Sequence, residues 1–170
     1  AKVFRGWKAD ETGTINAPGW RLATGVVTVN LQTTHASKIF SDVEAKSWYE
    51  DAVTFCNFNK YMTGYADTDL FGPSNELTRA EFVTVLHRIV DPEAAGVDFT
   101  TVKNETGFAD VEDGKFYTAA ANWAVANKII TGVDGVEFQP NTPVDRQTMC
   151  VILSRYLKAE NPSMDKLNSM

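Results

Sequence analysis

Two stretches in the first half of the chain carry apolar residues at a helical spacing. Their apolar positions recur every three or four residues, so that they share one face of a helix. They are Tyr49, Ala52, Val53 and Cys56 in the first stretch, and Phe82, Val83, Leu86 and Ile89 in the second. The pattern predicts two amphipathic helices joined by a loop.

Polar residues at the ends of these stretches predict where each helix begins and ends. Ser47 with Glu50, and Thr78 with Glu81, have the spacing of a capping box, in which each side chain bonds the other residue's backbone N–H. Asn59 follows the first apolar face and tolerates the left-handed conformation that closes a helix. We therefore predict helices that open at Ser47 and Thr78.

The same pattern occurs a second time along the chain. Residues 40–64 align without a gap on residues 108–132, with ten of 25 positions identical. One deletion later, residues 71–88 align on residues 138–155, which places Asp145, also a good N-cap, at the position of Thr78. A repeat of this kind indicates stacked copies of one unit. We predict a mainly α fold in which tandem helix-loop-helix repeats form a small bundle.

The repeats divide the chain into five segments. They are a partial β-repeat or linker at 1–39, repeat 1 at 40–90, a connecting loop at 91–107, repeat 2 at 108–158 and a tail at 159–170. The first segment contains the alternating β-branched run GVVTVNLQTT, which predicts a short strand. The chain also starts as if in the middle of a domain, and we expect it to be part of a longer protein.

The composition of the chain argues against two classes of binding partner. The 170-residue chain is 44% hydrophobic and carries a net charge of −6. An acidic chain without a Lys/Arg-rich run is a poor ligand for nucleic acid or anionic membranes. No apolar run approaches the roughly 20 residues of a membrane span. We expect neither nucleic-acid binding nor membrane insertion.

Chemistry-bearing motifs are scarce. The sequence contains no recognisable nucleophile, phosphate-loop or zinc-protease motif, so we expect no enzyme, no cofactor and no metal site. Asp67 and Asp69 resemble a calcium loop only loosely, because a following bidentate Glu is missing. Cys56 and Cys150 are expected as small buried apolar residues, with a disulfide as the alternative in an oxidising compartment.

One charged residue is not explained by helix capping. Arg79 lies in the first helical turn, where the helix dipole favours anions such as Glu81 and disfavours a cation. The second repeat has Arg146 at the same place. Free N–H groups at a helix start and a guanidinium together form a carboxylate receptor. In the alternative, Arg79 pairs with Glu76 or Glu81, and Arg146 pairs with Asp145 or another carboxylate.

These motifs resemble a known family. The order FSDV, WYEDAV, MTGY, LFGP and LTRAEF in repeat 1, and its counterpart in repeat 2, is similar to the S-layer homology (SLH) repeat. The resemblance covers residues 40 to about 157. The aspartate of the FxDV motif, Asp42 in repeat 1 and Asp110 in repeat 2, is expected to cap or brace a turn. The segment FRGWKADETGTINAPGW resembles, less closely, part of an internalin-type B repeat of bacterial surface proteins.

The SLH resemblance implies a function and a location. Members anchor exported proteins non-covalently to the bacterial cell wall, often through a secondary cell-wall polysaccharide that carries an acidic pyruvyl ketal. Three repeats typically form a pseudo-threefold bundle with ligand grooves between neighbours. We therefore expect an extracellular chain, bound to the cell wall or S-layer, whose partner is an anionic wall polysaccharide.

The resemblance also implies which residues bind the glycan. They are Arg79, Arg146, Glu81, Trp48, Phe116, Gly64 and Gly132. The second repeat lacks the motif Glu, because Asp145 and Arg146 are followed by Gln and Thr. Lys60 and Lys128 stand where the family usually has a glycine that ends the helix. For the two aromatic residues, core packing is the alternative to sugar stacking.

Two other functions compete with glycan anchoring. A structural module could assemble through its repeats into a lattice or oligomer without binding a glycan, and self-association could complete the bundle that a third repeat normally closes. The chain could also be the non-catalytic module of a glycan hydrolase.

Overall fold

The computed structural model describes residues 34–161, which are mainly helical, as predicted. Three short 3-10 helices accompany four α-helices. The α-helices are α1 (Glu50–Phe58), α2 (Arg79–Val90), α3 (Thr118–Ala126) and α4 (Arg146–Glu160). The 3-10 helices are Ala36–Lys38, Pro92–Gly96 and Phe99–Thr101. The predicted strand before residue 34, the B-repeat segment and most of the tail lie outside the described residues.

The starts of α2 and α4 confirm the predicted caps. Glu81 N–H donates to Thr78 Oγ1 at 3.2 Å, and Thr78 N–H donates to the Glu81 carboxylate at 2.8 Å, which completes a capping box. In α4 the Asp145 carboxylate accepts from Thr148 N–H at 2.7 Å. These bonds satisfy helix N–H groups that have no partner within the helix.

The start of α1 differs from the prediction. The helix begins at Glu50, and its N-cap Tyr49 makes no side-chain cap, so the predicted Ser47–Glu50 capping box is wrong. The Glu50 carboxylate instead accepts from the Ser37 hydroxyl and from Lys46 N–H, the latter at 2.6 Å. These donors, the Ser37 hydroxyl first, hold the pKa of Glu50 below its usual value. Ser47 Oγ is buried and has no hydrogen-bond partner within the described chain.

The helix-ending residue is also one position later than predicted. Asn59 has φ −83°, whereas Lys60 and the equivalent Lys128 are left-handed, with φ 63° and 59°. The chain reverses there, and Tyr61 N–H donates to Cys56 O at 2.9 Å. A residue with a Cβ is strained in this conformation. The lysines therefore occupy sites at which glycine would cost less.

An aspartate in each repeat holds the loop that precedes its second helix. Asp42 accepts from the N–H groups of Phe71 and Gly72 at 2.8 and 2.7 Å. Asp110 does the same for Phe138 and the next residue, at 2.9 and 2.6 Å. Burial acts to raise the pKa of Asp42, but the N–H donors outweigh it and the net shift is downward. Both aspartates brace a turn, as the sequence predicts.

The hydrophobic core does not follow the boundary between the repeats. Helix α2 belongs to repeat 1 in sequence, yet it packs on α3 of repeat 2. The shared cluster unites three residues of α2, Ala80, Val83 and Leu86, with three alanines of α3, Ala120, Ala121 and Ala124. A smaller cluster in repeat 1 contains Ala36, Phe40, Val43 and Val53. The α2–α3 contact therefore joins the two repeats.

Candidate functional site

Arg79 lies inside the contact between the repeats. Its side chain is buried, Nε donates to the carbonyl of Phe138 at 2.8 Å, and the guanidinium carbon lies 5.7 Å from the centre of the Phe138 ring. Burial lowers the pKa of Arg79, and the charge of Asp110 partly opposes that shift. Within the described residues, no ion pair joins Arg79 to Glu76 or Glu81.

The helix start beside Arg79 is occupied by protein groups. Arg79 N–H donates to Thr142 O at 2.9 Å, and Ala80 N–H donates to Pro140 O at 3.0 Å. Together with the Arg79 side chain, these bonds engage three carbonyls of the loop at 138–142. The donors that we expected to face an anion therefore hold repeat 2 against repeat 1.

Arg146 has a different environment from Arg79. Its side chain is exposed at the start of α4. The neighbouring Asp145 carboxylate is used by the cap and by Gln147 Nε2 at 2.9 Å, and no ion pair between Asp145 and Arg146 occurs in the described part of the chain. The two motif arginines thus share a sequence position but differ in burial.

A groove of about 500 Å³ lies where repeat 1 meets repeat 2. The loops of repeat 1 and one face of α2 form most of it, and Phe116 of repeat 2 contributes to the wall. Its aromatic lining consists of Tyr61, Tyr65, Phe71, Phe99 and Phe116. Aromatic rings combined with a few polar groups are typical of small-ligand sites.

Three of the seven predicted site residues line this groove. They are Glu81, Phe116 and Gly64, whereas Arg79, Arg146, Trp48 and Gly132 are not part of the lining. Glu81 Oε2 accepts both from Thr78 N–H and from the Thr78 hydroxyl, each at 2.8 Å, so its carboxylate already serves the helix start. Phe116 is 45% exposed and presents its ring to the groove.

Arg88 is a groove residue that the sequence reasoning missed. Within the described residues it is the one cation of the lining, which also contains the carboxylates of Glu76 and Glu81. Arg88 makes a long 3.5 Å hydrogen bond to Tyr61 O, and burial lowers the pKa of its guanidinium. The signal was present in the repeat, because Arg155 occupies the same place in repeat 2.

The two aromatic residues of the predicted site differ sharply in exposure. Trp48 is 94% exposed, and its ring lies edge-to-face against Tyr49 at 5.5 Å. Phe116 packs in the same way on Tyr117 at 5.3 Å but also walls the groove. Core packing therefore does not account for Trp48, which lies on an open surface.

The two glycines of the predicted site lie where a phenylalanine ring of the same repeat approaches the backbone closely. Gly64 has φ 76°, and a Cβ there would lie 2.6 Å from the Phe40 ring and 2.7 Å from Leu70 O. Gly132 has φ 79°, and a Cβ would lie 2.7 Å from the Phe108 ring. Only glycine fits such a conformation without strain. Both positions therefore have a structural role, whether or not a ligand contacts them.

The cysteines are free and only partly covered. Cys56 is partly buried, and this burial raises the pKa of its thiol. Cys150 is exposed, so the expectation that both are buried is wrong for Cys150. Its position on α4 corresponds to the buried Val83 of α2, and among residues 34–161 the surface that covers Val83 has no counterpart at α4.

Neither a metal centre nor a membrane span emerges from residues 34–161. No group of three or more His, Cys, Asp or Glu side chains there could hold a metal ion, including around Asp67 and Asp69. In the same range, no helix is long and apolar enough to cross a membrane.

Comparison with known proteins supports the resemblance. The S-layer homology domain family matches residues 39–83 and 107–150, which is more than half of the chain. The chain is 31% identical to a surface-layer 125 kDa protein of Lysinibacillus sphaericus over 75% of its length, which is 11% of that protein. It is 29% identical to an amylopullulanase of Thermoanaerobacterium thermosulfurigenes over 78% of its length, which is 7% of that enzyme.

A cellulosome-anchoring protein of Acetivibrio thermocellus is 27% identical over 73% of the chain, which spans 27% of that relative. The chain is therefore similar to a small part of each of these proteins. The family match and the surface-layer relatives indicate a cell-surface, cell-wall-associated chain. With two matched repeats that cover more than half of its length, this chain belongs to the S-layer homology domain family.

Proposed function

We propose that this chain is a non-catalytic cell-wall anchor that binds an anionic wall polysaccharide in the groove between its two repeats. The observation that carries the proposal is the aromatic groove around Arg88. Aromatic rings pack on the apolar faces of sugars, and a guanidinium bonds a carboxylate in a bidentate manner. An acidic substituent such as a pyruvyl ketal would bind at Arg88.

The environment of Arg88 favours this role. Its guanidinium is partly desolvated, and its 3.5 Å contact with Tyr61 O leaves further N–H donors for a ligand. Charge interactions are stronger where water is partly excluded. Glu81 is engaged by Thr78, so its charge is partly balanced by N–H and O–H donors.

The two motif arginines have different places in this proposal. Arg79 shapes the groove indirectly, because it fixes the Phe138 loop of repeat 2 against the start of α2. Arg146 is exposed and does not belong to the lining of this groove. We therefore assign acid recognition to Arg88 and treat Arg146 as a residue of an open surface.

The test compares Arg88→Gln with Arg155→Gln. Arg155 makes the equivalent 3.4 Å contact to Ile129 O but does not line the groove, so it is a matched control for the structural part of the change. Binding to purified wall polysaccharide is measured by calorimetry at concentrations at which light scattering shows a monomer. We expect Arg88→Gln to weaken binding by roughly 10- to 100-fold, as for a lost charge-assisted bond.

A second arm uses polysaccharide from which the acidic ketals have been removed by mild acid. The parent protein should bind it as weakly as Arg88→Gln binds the untreated polymer. Phe116→Ala should weaken binding to both polymers. If Arg88→Gln and Arg155→Gln bind equally well, or if removal of the ketals has no effect, the proposed site is wrong.

A second candidate function is self-association, which the exposed surfaces of α1 and α4 favour. Phe55 and Phe58 of α1 are 61% and 65% exposed, and Val151 and Leu157 of α4 are 47% and 46% exposed. Apolar groups in such number on two helices are typical of interaction surfaces. Light scattering over a range of protein concentrations tests this function without any glycan, and a monomer throughout the range would contradict it.

A further inference from the structure

Helices α2 and α4 are equivalent in sequence, but among residues 34–161 only α2 is covered by another repeat. The covered face of α2 includes Ala80, Val83 and Thr84, which are 2%, 0% and 6% exposed. The equivalent residues of α4 are Gln147, Cys150 and Val151, and all three are exposed. Helix α4 of repeat 2 therefore has a face equivalent to the one that α2 buries, and no described residue covers it in the same way.

The start of α4 also lacks the loop that serves α2. In α2, the Arg79 side chain, Arg79 N–H and Ala80 N–H bond the carbonyls of residues 138, 142 and 140. Within the described residues, the N–H groups of Arg146 and Gln147 make no such bonds, and the Arg146 side chain is exposed. Three donors and three carbonyls are thus paired at α2, whereas the three equivalent donors at α4 bond no described residue.

Repeat 1 presents the surface that α4 lacks. Its loop at 71–75 is equivalent to the loop at 138–142, and the carbonyls of Phe71, Pro73 and Asn75 accept no hydrogen bond within residues 34–161. Pro73 is exposed, whereas the equivalent Pro140 is buried. The loop therefore offers three acceptors at the positions that α2 uses in repeat 2.

Helix α1 continues this open surface. Ala52 is exposed and Cys56 is partly exposed, whereas the equivalent Ala120 and Ala124 of α3 are 2% and 0% exposed. Phe55 of α1 is equivalent to Trp123, whose ring stacks on His87 of α2 at 4.9 Å. The chain thus has two uncovered surfaces that correspond to the two sides of its own inter-repeat contact. One is the loop and α1 of repeat 1, and the other is α4 of repeat 2.

We propose that a second copy of this chain docks its repeat 1 onto α4 of the first copy, in the register in which repeat 2 docks on α2. The inference rests on the self-association proposed above and specifies its two surfaces. Arg146 would then donate to the Phe71 carbonyl of the other copy, as Arg79 donates to Phe138. This is a head-to-tail contact between different surfaces, which either closes into a ring or extends.

The contact would also complete a second groove. In the groove described above, Phe116 of repeat 2 and Arg88 of repeat 1 belong to the same lining. Trp48 is the equivalent of Phe116, and Arg155 is the equivalent of Arg88. In the proposed register, Trp48 of one copy and Arg155 of the other copy line one groove. Trp48, which is 94% exposed in a single copy, would thus line a groove between two copies.

The register makes a specific prediction about the thiols. Cys150 is equivalent to Val83, and Cys56 is equivalent to Ala124; Val83 and Ala124 belong to one buried cluster. Docking therefore places Cys150 of one copy and Cys56 of the other in the equivalent buried cluster. A short bis-maleimide, which joins two thiols without an oxidant, should link these two residues between copies.

The experiment mixes a Cys56→Ser chain with a Cys150→Ser chain. Each chain then has one thiol, so a Cys56–Cys150 link can form only between copies. We expect the mixture to give a covalent dimer, identified by the linked peptide in mass spectrometry, and each variant alone to give at least 10-fold less. Light scattering on the parent protein is measured in parallel.

A further variant tests the role of Arg146. Arg146→Glu changes an exposed residue, so the melting temperature should stay the same, while the link in the mixture is lost because a carboxylate cannot donate to a carbonyl. Oligomers without the Cys56–Cys150 link would overturn the register but leave self-association standing. A monomer at all concentrations, without the link, would overturn both.

Discussion

The two repeats show how one sequence motif can have two structural roles. Arg79 and Arg146 occupy the same position, but Arg79 is 9% exposed and bonds a carbonyl 59 residues away, while Arg146 is exposed to solvent. The difference does not arise from the helices that carry them, since both are capped at the preceding residue. It arises because a following repeat covers α2, whereas no described residue covers α4 in the same way.

The largest expected difference is between the variants that each lack one of the two motif arginines. Arg79→Ala leaves the Phe138 carbonyl without its donor and opens a space in the contact, so we expect a loss of about 2–4 kcal/mol in the free energy of unfolding. Arg146→Ala should change this free energy by less than about 0.5 kcal/mol, as for an exposed residue. Urea unfolding followed by circular dichroism measures both. Equal losses would contradict the comparison.

A smaller difference is expected between the helix faces. Val83→Ala removes two buried methyl groups from the α2–α3 contact and should cost roughly 1–2 kcal/mol of unfolding free energy. Cys150→Ala, at the equivalent exposed place, should cost almost nothing in the monomer. The measurement is again urea unfolding, at a protein concentration low enough to exclude association. A comparable cost for Cys150→Ala would indicate that α4 is covered.

The helix-ending lysines should respond alike in both repeats. Lys60 and Lys128 have a left-handed backbone conformation, which glycine adopts without strain. Lys60→Gly and Lys128→Gly should therefore each stabilise the fold by roughly 0.5–1 kcal/mol. This is a case in which the local conformation, and not the neighbouring repeat, decides the result. Thermal unfolding of both variants measures the gain. A gain in one repeat alone would show that its neighbours matter at this site too.

The smallest effect concerns pH and His87, which has no titrating counterpart because repeat 2 has Ser154. Burial lowers the pKa of His87, against an opposing contribution from Asp91 and with a supporting one from Arg88. A depressed pKa means that folding favours the neutral ring. The contribution of His87 to the free energy of unfolding is complete above the pKa of the unfolded state, near 6.5. It is lost as the pH falls through the pKa of the folded state.

We therefore expect the melting temperature to fall as the pH is lowered from 7.5 to 5, and to fall less in His87→Phe, which keeps an aromatic ring against Trp123. Carboxylates with lowered pKa values, such as Asp42, contribute at still lower pH in both proteins alike. If the melting temperatures of the parent and the variant depend on pH in the same way between 7.5 and 5, protonation of His87 does not weaken the α2–α3 contact.

Much of the local structure was predictable from the sequence. The repeat, the mainly helical fold, the caps at Thr78 and Asp145, and the turn braces at Asp42 and Asp110 all follow from signals within one repeat. These features depend on the spacing of apolar residues and on short polar contacts, which the order of residues determines. The failed predictions at Ser47 and Asn59 were local too. At Ser47, hydrogen bonds from other residues to Glu50 replaced the predicted cap, and at Asn59 the left-handed conformation lies one residue later in spite of its backbone strain.

The tertiary structure alone decided the roles of the site residues. Whether Arg79 faces a ligand or a carbonyl depends on where the loop at 138–142 lies, and whether Phe116 walls a groove depends on how repeat 2 packs on α2. Identical residues are therefore buried in one repeat and exposed in the next. The sequence by itself determined the unit and its copies, and the packing of one copy on the other determined which surfaces remain free to bind.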